Sequence, residues 1–250
     1  MSAEHDAPAR WQLSNPDLSL PPQEVHVWRA SLDQPALLAD FFATLSPDEQ
    51  KRAARFHFQK DREHYTAARG LLRAILSRYL KLDPADLAFG YSSYGKPYLA
   101  GEQPDGVRFN ISHSHGLALL AFARGRDLGV DVEFVRPDIA EEEIAERFFS
   151  AAEVAALRAL PASRQAEGFF NCWTRKEAYI KARGEGLSLP LDQFDVSLAP
   201  GEPAALLCTR VAVNDASRWS MVKLNPGAGF KAALVVEGRD WQLRCWQWQG

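Results

Sequence analysis

The sequence has no long apolar run. Its longest uninterrupted apolar segment, LALLAFA, covers residues 117–123, whereas a membrane-spanning helix needs about 20 consecutive apolar residues. The first 23 residues, MSAEHDAPARWQLSNPDLSLPPQ, also lack the apolar stretch behind a positively charged start that marks a secretory signal peptide. We therefore expect no membrane partner, and residues 1–24 are predicted to form a polar N-terminal extension.

Cysteine is scarce as well. The three cysteines lie far apart, at Cys172, Cys208 and Cys245, so they indicate neither a disulfide framework nor a zinc motif. This usage is typical of a reducing compartment, and we expect a cytoplasmic protein. Only His113 and His115 among the six histidines are close together, so a histidine-rich metal site is not expected.

Charge of one sign is not in excess either. The 250 residues carry a net charge of -3, and 46% of them are hydrophobic. This near-neutral composition argues against wholesale binding to nucleic acid. A chain of this length buries about 70–75% of its unfolded surface, which is enough for one large domain or for two lobes.

Short apolar or alternating segments predict seven strands, which begin near residues 25, 108, 117, 129, 219, 231 and 243. Helical periodicity covers residues 47–81, 139–160 and 165–183, and we expect the first of these regions to break near FHFQKD. At its start, Ser46 is predicted to cap the helix and Glu49 to complete a capping box.

Two segments of the chain resemble each other. LALLAFARGRD ends at Asp127 and KAALVVEGRD ends at Asp240, and each follows a helix-containing half of similar length. This similarity predicts two lobes of the same build, residues 25–127 and 128–250. Apolar strands that run into a polar turn are common, so on this pattern alone coincidence stays equally open.

The segment WTRKEAYIKARGEGL, residues 173–187, places three chemically different side chains on one predicted helix face. Trp173, Glu177 and Lys181 are four residues apart, so a helix would align them. Gly184 stands where a C-terminal cap belongs. The face is either a solvated ion-pair surface or a reactive one, and an aromatic in Trp173's position is typical of core packing.

The segment GVDVEFV, residues 129–135, predicts a strand with two acids on one face. Alternation along the strand would turn Asp131 and Glu133 to the same side, where they repel each other unless a cation lies between them. By itself this pattern is more typical of a solvated acidic face. With Glu177 nearby, the three carboxylates would make an oxygen-only site suited to magnesium and a substrate phosphate. Lys181 would then be either an ion-pair partner of Glu177 or a phosphate ligand.

Several basic and hydrogen-bonding residues are candidates for phosphate binding. Lys and Arg outnumber Asp and Glu by nine to two over residues 51–81, and Arg52 is one of them. YSSYGKPYL adds Lys96 in a turn, and FNISHS adds Asn110, Ser112 and His113 at a strand end. Taken singly, each is more typical of a turn, a cap or a solvated surface.

Together these motifs resemble the paired signature of the 4'-phosphopantetheinyl transferases. The family pattern is Gly-x-Asp-x-Glu, followed by Trp-x-x-Lys-Glu-Ala-x-x-Lys-x-x-Gly-x-Gly-Leu, and residues 129–133 and 173–187 match it without departure. YGKPYL and FNISHS resemble two upstream motifs of the same family. The length and the two-lobed pattern resemble its monomeric, surfactin-synthetase-activating subgroup.

The resemblance implies a fold and an activity. The fold would be α+β, with two similar lobes related by a pseudo-twofold axis, each a small antiparallel-rich sheet packed with helices. The activity would be the magnesium-dependent transfer of 4'-phosphopantetheine from coenzyme A to a serine of an apo carrier protein, which releases adenosine 3',5'-bisphosphate. The expected protein is a cytoplasmic monomer whose partners are coenzyme A and carrier protein domains, not nucleic acid or membranes.

The resemblance also implies roles for particular residues. Magnesium, or manganese in its place, would be held by Asp131, Glu133 and Glu177. Glu177 and Lys181 would be catalytic, the first as base and the second beside the pyrophosphate. The residues expected to bind coenzyme A are Arg52, Lys96, Asn110, Ser112, His113, Asp131 and Lys181. Lys51 and Arg55 are alternatives to Arg52 at the 3'-phosphate.

Two other functions compete with this one. The first is a different phosphate enzyme with a three-carboxylate magnesium site, such as a nucleotide hydrolase, which would leave the fit of Lys181 and the Gly-x-Gly-Leu ending unexplained. The second is a non-catalytic protein that binds coenzyme A or a carrier. It has no physical reason to keep three like charges together.

Overall fold

Two β-sheets packed face to face form the centre of the molecule. The computed structural model describes residues 10–13, 18–101, 106–136, 141–211 and 215–249. The strands are β1 (Trp11–Leu13), β2 (Glu24–Ser31), β3 (Phe89–Tyr91), β4 (Pro97–Leu99), β5 (Val107–Ser114), β6 (Leu117–Arg124), β7 (Leu128–Phe134), β8 (Phe194–Val196), β9 (Leu206–Thr209), β10 (Trp219–Leu224), β11 (Phe230–Glu237) and β12 (Gln242–Gln247). The first sheet has the order β1-β12-β2-β6-β5 and the second the order β10-β11-β7.

Helices cover the outer faces of both sheets. Over the described ranges they are α1 (Leu38–Thr44), α2 (Pro47–Ala54), α3 (Gln59–Leu80), α4 (Glu141–Phe148), α5 (Ala151–Arg158), α6 (Ala162–Arg183) and α7 (Asp215–Arg218). None of these helices is both long enough and apolar enough to span a bilayer.

Alternating side chains on the strands divide the core into three parts. On β2, Trp28 and Ala30 pack with α3, whereas Val25 and Val27 point between the sheets. On β11, Ala233 and Val235 pack with α6, while the alternate residues belong to the central core: Ala232, Leu234 and Val236. The layers therefore run helix, sheet, sheet, helix, and the fold is α+β with antiparallel-rich sheets.

The two halves repeat the same construction. The strand order β2-β6-β5 corresponds to β7-β11-β10, and the strand pairs within each set are antiparallel. The helices α3 and α6 both have 22 residues, and each follows a short helix that begins with a capping box.

The capping boxes also anchor the long helices in the same way. The acid of the first box, Glu49, pairs with Arg73, and the acid of the second, Glu153, pairs with Lys176. Arg73 and Lys176 are each the fifteenth residue of their helix. The division into residues 1–24, 25–127 and 128–250 stays a prediction. Strands from both ends of the chain belong to the first sheet, since β12 pairs with β1 on one side and with β2 on the other.

The structure contains the seven predicted strands and the predicted break before Gln59. Of the predicted helical region 139–160, residues 139 and 140 lie outside the described residues. The rest is divided into α4 and α5, because Ser150 and Glu153 form a new capping box there. The strands β1, β3, β4, β8 and β9 were not predicted. They have only three or four residues each, which is too short for an alternation to be recognised.

Candidate active site

Helix α6 lies directly on strand β7, and Gly129 makes this approach possible. A Cβ atom on Gly129 would lie 2.2 Å from the Ala178 carbonyl oxygen and 2.3 Å from the Ala182 nitrogen. Because Val130 and Val132 point into the central core, the alternate residues Asp131 and Glu133 are on the side of α6. The strand acids are thereby placed beside the helix acid.

The predicted helix face is present, and its three members have different surroundings. Helix α6 ends at Arg183 and is followed by the C-cap Gly184, whose φ of 73° is the left-handed conformation typical of a C-terminal cap. The Trp173 ring stacks on Phe169 with ring centroids 6.1 Å apart, so Trp173 belongs to the core. Glu177 and Lys181 continue the same face toward β7.

Asp131 is the buried centre of the cluster, with an exposed fraction of 2%. Its Oδ1 accepts hydrogen bonds from Lys181 Nζ at 2.6 Å and from Ser112 Oγ at 2.8 Å. Its Oδ2 is buried and has no hydrogen-bond partner. An unsatisfied buried carboxylate oxygen is costly, so this atom marks a place where a cation would be favourable.

The other two acids are close enough to influence one another. Burial and the neighbouring Asp131 carboxylate raise the pKa of Glu133, although Ser114 Oγ donates a hydrogen bond to its Oε2 at 2.9 Å. Burial raises the pKa of Glu177, and the charges of Asp131 and Glu133 add to that rise while Lys181 opposes it. Three mutually repelling carboxylates therefore share one region around a single ammonium.

The three acids are not arranged around a common point in this structure. Within the described ranges, no group of three or more His, Cys, Asp and Glu side chains is arranged to coordinate a metal ion. The ammonium of Lys181 is the cation that contacts Asp131 in this structure.

The FNISHS segment borders the cluster along β5. Asn110 and Ser112 are buried, and they accept hydrogen bonds from the backbone N–H groups of Val130 and Val132 at 2.9 and 3.3 Å. His113 is exposed at this edge. Partial desolvation by neighbouring protein atoms is the main cause that lowers its pKa, and the charge of Lys181 lowers it further. A histidine kept neutral at this edge can accept as well as donate a hydrogen bond.

Lys96 lies away from the three acids. Its Nζ donates to the carbonyl oxygens of Leu128 at 3.1 Å and Ala182 at 3.3 Å, and burial lowers its pKa to about 8. It lines a cavity of about 230 Å³ together with Arg108 and Arg183. The structure thus places Lys96 at the C-terminal end of α6, beside the start of β7.

Arg52 lines a separate cavity of about 720 Å³, together with Lys51 and Arg55. The Arg52 guanidinium lies over the ring of Tyr65, 5.8 Å from its centroid. The predicted site residues are therefore in four places: the carboxylate cluster with Ser112 and Lys181, the edge with His113, the cavity with Lys96 and the separate cavity with Arg52.

Two residues that sequence reasoning left without a role contribute to the site region. Ser114, the last residue of FNISHS, contacts Glu133, and its alternation with Ser112 was a usable signal. Lys176 is fully buried, and its Nζ contacts Glu153 at 2.7 Å and the carbonyl oxygens of Leu191 and Phe194 at 2.6 Å. It therefore fixes α6 in place beside the acids.

The first lobe has no acids at the matching positions. When LALLAFARGRD is aligned with KAALVVEGRD, Leu120 corresponds to Ala233. Trp28 pairs with Leu120 and Asp131 pairs with Ala233, so Trp28 corresponds to Asp131. The strand counterpart of Glu133 is therefore Ala30. When α3 and α6 are aligned from their first residues, the counterparts of Glu177 and Lys181 are Ala74 and Arg78. The corresponding positions of the first half therefore carry no carboxylate.

Comparison with known proteins agrees with this geometry. Residues 127–235 match the 4'-phosphopantetheinyl transferase superfamily, and residues 18–124 match the N-terminal domain of a 4'-phosphopantetheinyl transferase. The chain is 42% identical over 240 residues to the 4'-phosphopantetheinyl transferase HetI of a Nostoc species, which covers 95% of this chain and 98% of that protein.

Two further similarities were found. The 4'-phosphopantetheinyl transferase Sfp of Bacillus subtilis is 38% identical over 158 residues, which are 63% of this chain and 68% of that one. The structure of the Thermotoga maritima holo-acyl-carrier-protein synthase is similar over 45% of this chain and 63% of the synthase chain, with 23% sequence identity. The TM-score of this match is 0.35, which is too low to carry an argument. From its identity to HetI over nearly the whole length of both chains, this chain belongs to the 4'-phosphopantetheinyl transferase family.

Proposed function

We propose that Asp131, Glu133 and Glu177 hold a divalent cation, magnesium first of all, while this transferase moves 4'-phosphopantetheine from coenzyme A to a serine of an apo carrier protein. The unpartnered Oδ2 of buried Asp131, beside two further carboxylates, is the observation that supports the cation. The donors are all carboxylate oxygens, which suit a hard cation such as magnesium or manganese. When bound, the ion would neutralise pyrophosphate charge and polarise the phosphorus.

The reaction requires a base for the serine. The serine oxygen forms a bond to the phosphorus that carries pantetheine, and the bond from that phosphorus to the bridging oxygen breaks. Adenosine 3',5'-bisphosphate leaves with that oxygen, and the serine proton passes to a carboxylate. We assign this role to Glu177, which α6 places beside Asp131 and Glu133.

Lys181 is positioned to stabilise the departing phosphate. Its side chain is 27% exposed and its ammonium is bonded to Asp131, so it lies between the acid cluster and the solvent side where the pyrophosphate would enter. A cation placed there stabilises the charge that develops on the leaving oxygen. Besides its proposed role as a cation ligand, Asp131 holds this ammonium through its Oδ1.

The remaining groups of coenzyme A have candidate positions nearby. We assign its 3'-phosphate to Arg52 and its basic neighbours in the larger cavity. His113, Asn110 and Ser112 border the acid cluster on the β5 side, where phosphate oxygens would lie. For Lys96 to bind phosphate, its Nζ must exchange the two carbonyl oxygens it now contacts for the ligand.

We further propose that the enzyme works as a cytoplasmic monomer of two lobes divided near residue 128. Each half carries its own long helix and its own set of three antiparallel strands, and the three cysteines are free thiols. The acceptors are acyl or peptidyl carrier domains, and nucleic acid and membranes are not expected partners.

Intact-mass spectrometry tests the proposal. The protein would be mixed with coenzyme A, magnesium and a panel of apo carrier proteins, with and without a chelator. We expect a carrier to gain the mass of one phosphopantetheine only when free magnesium is present. Transfer that persists undiminished after complete chelation would contradict the cation, and tight coenzyme A binding without transfer to any carrier would contradict the activity.

A further inference from the structure

The two main sheets meet along β5 and β7, and side chains make the junction. Both strands are edge strands, and they belong to different sheets. The N–H groups of β7 on that side therefore have no ladder partner and bond to β5 side chains. The pairs are Val130 with Asn110 Oδ1 at 2.9 Å, Val132 with Ser112 Oγ at 3.3 Å and Phe134 with Ser114 Oγ at 3.2 Å.

The two serines do more than close the junction. A hydroxyl has one proton to donate and two lone pairs to accept with. Because each serine accepts from β7, its proton remains for a carboxylate: Ser112 donates to Asp131 at 2.8 Å and Ser114 to Glu133 at 2.9 Å. His115 Nδ1 is the other group near Ser114 Oγ, but it is farther away, at 3.4 Å.

The spacing of these contacts matches the spacing of the acids. Two hydroxyls two residues apart on β5 contact two carboxylates two residues apart on β7. Asn110, two residues earlier, accepts the Val130 N–H but has no carboxylate to orient, since the residue opposite it in this pattern is Gly129, which has no side chain. The serines occur where there is a carboxylate to orient.

We infer that Ser114 is a positioning residue for the transfer reaction: its hydroxyl holds one oxygen of Glu133 so that the other faces the divalent cation. This inference rests on the proposed function. Glu133 is half-buried on a flexible side chain, and a single fixed hydrogen bond restricts the rotamers it can adopt. Partners that orient metal ligands typically change metal affinity by about 10- to 100-fold.

Calorimetric titration of the full-length protein with magnesium, in the absence of coenzyme A and carrier, tests the inference. The informative pair is Ser114→Thr and Ser114→Val, which have the same shape and differ in the hydroxyl. We expect Ser114→Thr to bind magnesium within about threefold of wild type and Ser114→Val to bind about 10- to 100-fold more weakly. Ser77→Ala, which removes a hydroxyl that bonds to the Ala74 carbonyl oxygen within α3 and not to an acid of the cluster, should bind like wild type.

Kinetics provide an independent second measurement. With Ser114→Val, the magnesium concentration for half-maximal rate should rise by the same factor, while the rate at saturating magnesium recovers toward that of Ser114→Thr. Equal magnesium affinity for the Thr and Val variants would overturn the role of Ser114 while leaving the proposed cation intact. A wild-type protein that binds no divalent cation would instead contradict the proposed three-carboxylate cation site on which the inference rests.

Discussion

Gly129 is the position where one added methyl group tests the link between packing and the site most sharply. In Gly129→Ala, the new Cβ would lie 2.2 Å from the Ala178 carbonyl oxygen and 2.3 Å from the Ala182 nitrogen. Ordinary contacts of a Cβ begin near 3.4 Å. Both obstructing atoms are helix backbone, so α6 must move away from β7 by roughly 1 Å rather than a side chain giving way.

The displacement should cost both stability and activity. Overpacking of this kind costs about 1–3 kcal/mol, and the smaller backbone freedom of unfolded alanine offsets only about 0.4–1 kcal/mol. Because α6 carries Glu177 and Lys181 while β7 carries Asp131, a shift of about 1 Å separates the two halves of the site and should slow transfer by on the order of 10²-fold.

The assays are urea unfolding and the initial rate of carrier modification by intact mass. Gly227→Ala is a matched control, because its added Cβ would meet nothing within 4 Å. We expect the control to stay within about 0.5 kcal/mol of wild type and to keep its rate. A Gly129→Ala protein with wild-type stability and rate would refute the close packing of α6 on β7 as the reason for glycine.

Three other variants give separate tests. Lys176→Met leaves the Glu153 carboxylate buried without its ammonium and should lower the free energy of unfolding by about 3–5 kcal/mol in urea; a loss below about 1 kcal/mol would contradict a structural role. The folded protein releases the Lys96 proton near pH 8, whereas the unfolded chain keeps it to the ordinary lysine pKa. The stability of wild type should therefore rise relative to that of Lys96→Met above pH 8, by up to about 1.4 kcal/mol per pH unit. Stability curves of the two proteins that stay parallel across this pH range would contradict the lowered pKa of Lys96. Glu177→Gln should keep the circular dichroism spectrum and lose at least about 10²-fold in transfer rate, and a near-normal rate would exclude Glu177 as the base.

The sequence was most informative where function and local structure use the same residues. The spacing of Asp131, Glu133, Glu177 and Lys181 predicted which faces of a strand and a helix they occupy, since the periods of 2 and 3.6 are local properties. The capping box at Ser46 was predictable for the same reason. The contact between strand and helix was also encoded, in Gly129, but only the structure shows what a side chain there would strike.

Interactions between distant segments could not be predicted in this way. Asn110 and Ser112 suggested a phosphate pocket, because polar groups at a strand end often bind ligands. Their hydrogen bonds to β7 depend on β5 and β7 being edge strands that meet, which no local pattern encodes. The last strand, β12, likewise has an ordinary apolar pattern that does not reveal its pairing with β2 in the first sheet.

The measurement that tests the central claim most directly is a magnesium titration of single-turnover transfer to an apo carrier protein, comparing wild type with Asp131→Asn. The substitution keeps the size of a buried side chain but removes the charge whose Oδ2 has no partner. We expect wild type to transfer phosphopantetheine with saturating dependence on magnesium, and the folded variant to transfer none at any magnesium concentration in the titration. A folded Asp131→Asn protein that follows the wild-type magnesium curve would contradict a cation held by the three carboxylates.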